Sequence, residues 1–341
     1  TEAGYALSQD PSSDTGNSDA QLKNLKEQVD YLASQMLEMK YGAGSRDLLG
    51  TLAPPSDFST TEHFSRSGGI LPSRAHTVSV GDGVSSWGDF NTTTSGTARD
   101  AIVAALGSIP TNGGILYIKE GTYDLAASSV SIDSNVSIVG DGRYATIIRC
   151  TAAGSFSFTN PGTKASLSNL SITDTGGVSL AAVEAVDTTI LDITDCEIHG
   201  LSSGSFVSSK FSNSKFVSGP GINACFQGSA SGVTFSDCEI SPTDATDVGL
   251  AITSGTDIQI TGCAFNVPSD GASIVLSGSA SGSITDCTFD QASTAGGTTG
   301  VGIDATDVVN LSIHGCSFVD TDYAVYVWEA TGLSIVGCHV T

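Results

Sequence analysis

The chain has 341 residues, 39% of them hydrophobic, with 36 acidic and only 13 basic side chains and a formal net charge of −23. This length allows one large domain with an appendage. No apolar run reaches 18 residues, the first residues show no signal-peptide pattern, and the acidic surface repels nucleic acid, so neither membrane insertion nor nucleic-acid binding is expected.

The N-terminal part divides into three segments. Residues 1–19 contain no basic residue and are rich in Asp, Ser, Asn and Gly, a composition that predicts a flexible segment. Residues 20–42 are predicted to form a coiled-coil helix, with a single amphipathic helix packed on its own domain as the alternative. Residues 43–77 are rich in Gly, Ser and Pro and are predicted to form an extended linker. The apolar seam of the predicted coiled coil, at alternating steps of three and four residues, consists of Leu22, Leu25, Val29, Leu32, Met36 and Met39.

A short helix is predicted at 97–107. Thr97 is a suitable N-cap, apolar residues recur at helical spacing, and Gly107 and Pro110 are stop signals. A Gly-Asp-Gly-Val turn at 81–84 precedes this helix, and a strand, turn and strand containing Gly-Thr-Tyr at 121–123 follow it. We expect the helix to cap the repetitive region that begins downstream, because stacked units leave an uncovered core at each end.

One short phrase recurs seven times between residues 190 and 341. It consists of an apolar residue, two mostly polar residues, a small residue that is usually Cys, one further residue and another apolar residue. The odd spacing within the phrase predicts a corner, placed at Thr194-Asp195 in the first copy, between strands of different direction. A second apolar strand, such as Leu250 to Ile252, recurs with the same period. The central residues, at steps of 18, 24, 25, 24, 29 and 22, are Cys196, Ser214, Cys238, Cys263, Cys287, Cys316 and Cys338.

Several short strands in each repeat of about 24 residues predict an all-β fold, a parallel β-helix over residues 78–341. At this period the region would hold roughly 11 turns, or rungs. An antiparallel sandwich is the alternative, but it would not require the same residue type every 24 residues. The last residues resemble a turn in progress, so we expect the protein to continue beyond residue 341.

The front of the repetitive region resembles the pectate-lyase-like superfamily found in phage tailspikes and appendages. The resemblance rests on the turn at 81–84, the helix, the strand pair ending at 121–123 and the segment 136–142. One departure is an insertion at 85–95. The resemblance implies a right-handed β-helix, a homotrimer joined through the coiled coil, a linker threading between subunits, and an N-terminus that docks on other virion proteins.

The cysteines are expected to be buried free thiols, because they are distributed one per turn and free Cys packs as a small apolar residue. Disulfides between neighbouring turns remain an alternative. No metal site and no cofactor are expected, because the sequence lacks CxxC and paired-His spacing.

The sequence bears on two kinds of catalytic chemistry. Polysaccharide lyases of the pectate-lyase-like fold use a basic residue to remove a proton, but no Lys or Arg follows Lys215, whereas 13 acidic residues do. The other bases, Arg143, Arg149, Lys164 and Lys210, show no evident grouping with acids. Glycoside hydrolysis needs two carboxylates. Acidic side chains at such a corner are more often solvated or cation-binding than catalytic. The acidic residues that recur at the corner are Asp195, Glu197, Asp237, Glu239 and Asp286. His314 and His339 are interpreted as structural.

The segment 323–329 is the candidate for carbohydrate contact. If Val325 and Val327 face the core, Tyr326 and Trp328 lie together on the outer face, where sugar rings can stack. Asp322 and Glu329 can accept hydrogen bonds from hydroxyl groups. The alternative is that the two aromatic side chains pack against a neighbouring subunit or a loop.

These features predict a homotrimeric virion tailspike or fibre protein that attaches to a host surface polysaccharide. The alternative is a polysaccharide depolymerase, acting as a glycoside hydrolase or lyase. Catalysis is not expected from residues 1–341 alone. The predicted location is the virion, on the tail or as a capsid appendage.

Overall fold

A computed structural model describes residues 76–83, 88–92, 97–125, 129–132, 135–150, 155–158, 164–174, 181–218, 223–244, 246–268, 270–292 and 300–341. The predicted flexible segment 1–19, the coiled coil 20–42 and the linker up to residue 75 lie outside the described residues. The seam positions Leu22, Leu25, Val29, Leu32, Met36 and Met39 lie outside them as well.

The described residues form a parallel β-helix with three sheets, named A, B and C here, and every strand pairing among these residues is parallel. The strands of sheet A are His76–Gly81, Phe90–Asn91, Gly114–Ile118, Val136–Gly140, Lys164–Ser168, the second half of Val183–Thr194, Lys210–Ser212, Thr234–Ser236, Ile258–Thr261, Gly282–Thr285, Leu311–His314 and Ser334–Val336. The strands of sheet B are Gly121–Asp124, Thr146–Cys150, Ser171–Asp174, Glu197–His199, Lys215–Val217, Glu239–Ser241, Ala264–Pro268, Thr288–Ala292, Ser317–Val319 and His339–Val340. The strands of sheet C are Val130–Ile132, Phe156–Phe158, the first half of Val183–Thr194, Leu201–Val207, Ala224–Ser231, Val248–Ile252, Ala272–Leu276, Val301–Thr306 and Tyr323–Trp328.

A complete turn passes once through sheets A, B and C. Eight complete turns run from Val136 to Trp328, and one more lies between Gly114 and Ile132. The prediction of a parallel β-helix is confirmed. The predicted number of roughly 11 turns is reached only when the incomplete turns at the two ends are counted.

The corner between sheets A and B has a left-handed backbone in each turn from Asn169 onward. Its first residue has a φ between 47° and 67°, a conformation that Gly, Asn and Asp adopt at much lower energy than other residues. The strand containing Thr194 ends at that residue, so the corner is Asp195-Cys196 and lies one residue later than predicted. The corner residues are Asn169, Asp195, Asn213, Asp237, Gly262, Asp286, Gly315 and Gly337.

Charge alternates along this column of corner residues, because each of the three Asp residues has an uncharged residue on both neighbouring turns. The Asn213 side-chain amide donates a hydrogen bond to the Asp195 carboxylate. At Gly262, the Asp237 carboxylate oxygen lies 2.8 Å from the position that a Cβ would occupy. Two carboxylates on adjacent turns, about 4.8 Å apart, would repel by roughly 1–3 kcal/mol. The corner therefore places carboxylates two turns apart.

The interior consists of columns of similar side chains, one from each turn. Phe265, Phe289 and Phe318 stack with ring centroids 4.8 and 4.7 Å apart and nearly parallel planes. This separation equals the spacing between turns. The register of sheet B therefore sets the stacking geometry of the aromatic core.

The corner cysteines form a second interior column, as predicted. All eight cysteines are free and seven are buried. The Cys287 thiol donates to the carbonyl of Thr285 in its own turn at 3.3 Å and to Ile260 in the preceding turn at 3.7 Å. Burial raises the pKa of Cys196 to about 12, so this thiol stays protonated and unreactive at neutral pH.

The first turn is closed by the helix Ala98–Ser108, at the position predicted for a cap. The Thr97 hydroxyl accepts a hydrogen bond from the Asp100 amide at 3.0 Å, and Ala101, Ile102 and Ala105 are fully buried. Residues 81–83 lie against the Gly-Thr-Tyr strand here. A Cβ on Gly121, whose φ is +140°, would lie 2.8 Å from the Asp82 carboxylate.

Substituting Gly262 tests the charge alternation. Gly262→Asp would place three carboxylates on consecutive corners and should lower the free energy of unfolding by about 1–3 kcal/mol relative to Gly262→Asn. Asn has the same shape and also tolerates the left-handed backbone. Urea unfolding at low and high salt measures the difference, which should shrink with added salt. Equal stability of the two variants at low salt would contradict the electrostatic explanation.

Counting thiols tests the cysteine column. In denaturant without reductant, a thiol reagent should label all eight cysteines, whereas the folded protein should react slowly because seven of the eight thiols are buried. Mass spectrometry gives the number of labels. Fewer than eight labels after denaturation would show that disulfides link neighbouring turns.

Candidate functional site

Three exposed aromatic side chains form a cluster on strand Tyr323–Trp328 of sheet C. Tyr323, Tyr326 and Trp328 are 52%, 43% and 57% exposed. The rings of Tyr323 and Tyr326 meet edge to face with centroids 6.3 Å apart. We call these three residues the aromatic cluster. Tyr323 was not among the residues selected from the sequence, because its spacing from Tyr326 is not that of one face of a strand.

The strand alternation places Tyr326 and Trp328 on the outer face. Val325 packs against the core, whereas Val327 is 38% exposed on this last strand of sheet C. The two aromatic residues selected from the sequence therefore do lie together. Whether they bind a glycan remains a prediction.

The preceding turn supplies polar neighbours for the aromatic cluster. Asp304 is the register partner of Tyr326, and Thr306 is the partner of Trp328. The Thr306 hydroxyl donates a hydrogen bond to the Asp304 carboxylate at 2.8 Å. Asp304 is half-buried on the outer face. Asp304 was missed in the sequence because it belongs to another repeat, 22 residues before Tyr326.

The two acidic residues predicted to flank the aromatic residues lie at the two ends of the strand. The Asp322 carboxylate accepts a hydrogen bond from the Gly300 amide at 3.0 Å, so it stabilises the preceding turn. Glu329 is exposed and has a left-handed backbone with φ 54°. Asp307 is also close, since its amide donates to the Trp328 carbonyl at 2.9 Å.

Two of the five Lys and Arg residues in 143–215, Arg149 and Lys215, do pair with acids, which the sequence spacing did not indicate. On the outer face of sheet B, Lys215 Nζ lies 2.9 Å from Glu239 Oε1. Arg149 Nε lies 2.7 Å from Asp124 Oδ1. The parallel register places residues distant in sequence side by side, which spacing alone did not reveal. These bases are held in ion pairs, an arrangement that does not favour proton removal by them.

Two of the carboxylates that are candidates for hydrolysis, Glu197 and Glu239, form contacts with basic side chains. The hydrogen bond with Lys215 lowers the pKa of Glu239, whereas a general acid needs a raised pKa. Glu197 Oε1 lies 3.1 Å from His199 Nε2. The corner residues Asp195, Asp237 and Asp286 are explained by their left-handed backbone, and the described geometry gives them no catalytic arrangement.

One carboxyl group on the outer face of sheet C, that of Glu184, has a raised pKa instead. Burial raises the pKa of Glu184, against the effect of a hydrogen bond with Ser155. The register partners of Glu184 on the neighbouring turns are Ser157 and Ser202. The adjacent strands therefore do not supply the second carboxylate that glycoside hydrolysis requires.

Within the described ranges, no group of three or more His, Cys, Asp or Glu side chains is arranged to hold a metal ion. A search of the same residues finds no helix that is long and apolar enough to span a membrane.

Residues 136–340 match the family model described as a right-handed β-helix region, which is more than half of the chain. The chain belongs to the right-handed β-helix family. The matched residues contain the eight complete turns that begin at Val136, so the predicted right-handed β-helix is confirmed. No curated protein matches this right-handed β-helix chain.

Solved structures resemble this β-helix at low identity. The ORF18 protein of Geobacillus virus E2 is 14% identical with a TM-score of 0.45, over 77% of this chain and 52% of the viral one. The mannuronan C-5 epimerase A-module of Azotobacter vinelandii is 11% identical with a TM-score of 0.42, over 74% and 97%. The surface adhesin PfbA of Streptococcus pneumoniae is 12% identical with a TM-score of 0.33, over 71% and 88%. This chain spans about half the length of the viral protein, and similarity at these levels does not extend to function.

The Lys215–Glu239 ion pair gives a pH-dependent prediction. Because the pKa of Glu239 is lowered, its contribution to stability is present at neutral pH and is lost as the pH falls through that lowered pKa. Glu239→Gln should lower the free energy of unfolding by less than about 1 kcal/mol at pH 7, since the pair is partly exposed. Asp290→Asn, an equal charge change on the same sheet, is the control, and urea unfolding at pH 7 and pH 3 is the measurement. A difference between Glu239→Gln and the parent protein that does not shrink between pH 7 and pH 3 would contradict the assignment.

Proposed function

We propose that the protein attaches a virion to a host surface glycan, as a tailspike or fibre protein, through the aromatic cluster on sheet C. The observation that carries this proposal is the outward position of Tyr326 and Trp328, with the Tyr323 ring against that of Tyr326, on one strand of a repetitive scaffold. Exposed aromatic rings present an apolar face to which the C–H face of a sugar can stack. Trp and Tyr are the residues that most often dominate binding energies at interfaces.

The surroundings of the aromatic cluster fit a ligand that is rich in hydroxyl groups. Asp304 and Thr306 lie beside Tyr326 and Trp328 on the preceding turn. Their oxygen atoms can accept hydrogen bonds from sugar hydroxyls, and the Thr306 hydroxyl can also donate. The neighbouring strands place these groups by backbone pairing rather than by loop conformation, so little ordering is needed on binding.

The assembly part of the proposal rests on the sequence. The heptad seam in residues 20–42 favours self-association, and the resemblance of the region around residues 78–150 to tailspike-type β-helices supports a trimer. Segment 1–19, which its composition predicts to be flexible, would then dock on other virion proteins. A homotrimer presents three copies of the aromatic cluster, and multivalent binding strengthens attachment to a repetitive polysaccharide.

A polysaccharide depolymerase is the second candidate, and Glu184 is the observation that favours it. A half-buried carboxyl group with a raised pKa is suited to act as a general acid. Against this candidate, the neighbouring strands at Glu184 supply serine and not a second carboxylate.

Removing the indole tests glycan attachment. Trp328→Ala should weaken binding to host capsular polysaccharide or lipopolysaccharide by about tenfold or more, because Trp side chains are frequent hot spots. Trp328→Phe keeps an aromatic face and should retain most of the affinity. Surface plasmon resonance on immobilised host glycan gives the affinities, and circular dichroism checks folding. Unchanged binding by a folded Trp328→Ala protein would refute the role of the cluster.

A time course of reducing ends separates the two candidates. We expect the purified protein to bind the glycan without releasing new reducing ends, whereas a hydrolase would release them steadily. If new reducing ends appear, Glu184→Gln should abolish their release, because a side-chain amide cannot donate a proton to the leaving-group oxygen. Release by the parent protein that stops in this variant would replace attachment with hydrolysis as the function.

A further inference from the structure

The charge around the aromatic cluster points to a particular class of sugar. No Lys or Arg occurs between Lys215 and Thr341, so the described turns around the cluster place no basic residue beside its acids. Asp304 is the register partner of Tyr326, and the Asp307 amide is bonded to the Trp328 carbonyl. The aromatic faces therefore lie in a region of negative potential.

We infer that the aromatic cluster and Asp304 bind a glycan that carries free ammonium groups, and that Asp304 determines this specificity. The inference rests on the proposed glycan attachment and adds the class of sugar. An ammonium group is attracted to the faces of Trp and Tyr rings. A carboxylate on the adjacent strand adds a charge-assisted hydrogen bond. A carboxylated or sulfated sugar would meet repulsion at the same place.

The environment of Asp304 suits this role. Its side chain is half-buried on the outer face, and Thr306 donates to one of its oxygen atoms at 2.8 Å. This bond orients the carboxylate and leaves the other oxygen able to accept from a ligand. The register partners of Asp304 on the two neighbouring strands are Val275 and Tyr326. Neither side chain carries a positive charge that would pair with the Asp304 carboxylate in place of a ligand.

A series of oligosaccharides with one backbone tests the inference. Chitosan hexasaccharide carries free amines, its fully N-acetylated form is neutral, and its N-succinylated form is anionic. Trp87 and Trp328 are the two tryptophans of the chain, so a Trp87→Phe background leaves Trp328 as the fluorescent probe. The amine form should bind about tenfold more tightly than the neutral form, and the anionic form should bind least. Added salt should reduce this preference.

Asp304→Asn is the decisive variant, since the amide can still accept the bond from Thr306. It should remove most of the preference for the amine form and leave the affinity for the neutral form within about twofold. Asp290→Asn, on the outer face of sheet B, makes the same change in net charge and should keep the preference. An equal loss in both variants would show that only overall charge matters and would overturn the assignment to Asp304.

The remaining outcomes separate this inference from the proposed function. If none of the three oligosaccharides changes the Trp328 fluorescence, or if the amine form binds no better than the neutral form, the inference fails. If Trp328→Ala still abolishes attachment to host glycan in that case, the proposed function stands alone. If Trp328→Ala leaves attachment intact, glycan attachment through the cluster fails independently of the charge series.

Discussion

Every residue in a parallel β-helix must be compatible with a residue of the next turn held about 4.8 Å away by backbone hydrogen bonds. In the interior of this protein, side chains of the same type lie above one another on successive turns. Examples are the stack of Phe265, Phe289 and Phe318 and the column of corner thiols. Charged groups meet the requirement by alternation. Lys215 is the register partner of both Glu197 and Glu239, and each corner Asp lies between uncharged residues.

The same constraint determines what a binding surface on this scaffold can be. A side chain on the outer face is positioned by its strand, and its neighbours come from turns about 24 residues away in the sequence. The aromatic cluster and Asp304 illustrate this arrangement, because strands Val301–Thr306 and Tyr323–Trp328 pair residue by residue. Under the proposed function, such a surface would meet a repetitive polymer with side chains whose spacing is set by the pairing of the strands.

The fold could be predicted from the sequence because the need for compatible residues on successive turns produces a repeated sequence pattern. The recurring corner phrase led to the parallel β-helix, and Thr97 with the apolar positions after it led to the cap helix. The predicted corner was wrong by one residue. The alternation of inward and outward side chains shows only that a corner lies between two apolar residues, whereas its exact position follows from the left-handed preference of Asp195 and its equivalents. The pairing of Lys215 with Glu239 and of Asp304 with Tyr326 depends on register between repeats of unequal length. Spacing within one repeat contains no information about that register.

The alternation at the corner also bears on how such a protein can grow during evolution. Duplicating one turn that carries a corner Asp would place two carboxylates on neighbouring turns, at an immediate loss of stability. Duplicating a pair of turns, one with Asp and one with Asn or Gly, preserves the pattern from Asp195 through Gly315. Elongation in this part of the chain therefore avoids repulsion only when every added Asp corner lies beside uncharged corners, so a single turn can be duplicated at an Asn or Gly corner but not at an Asp corner.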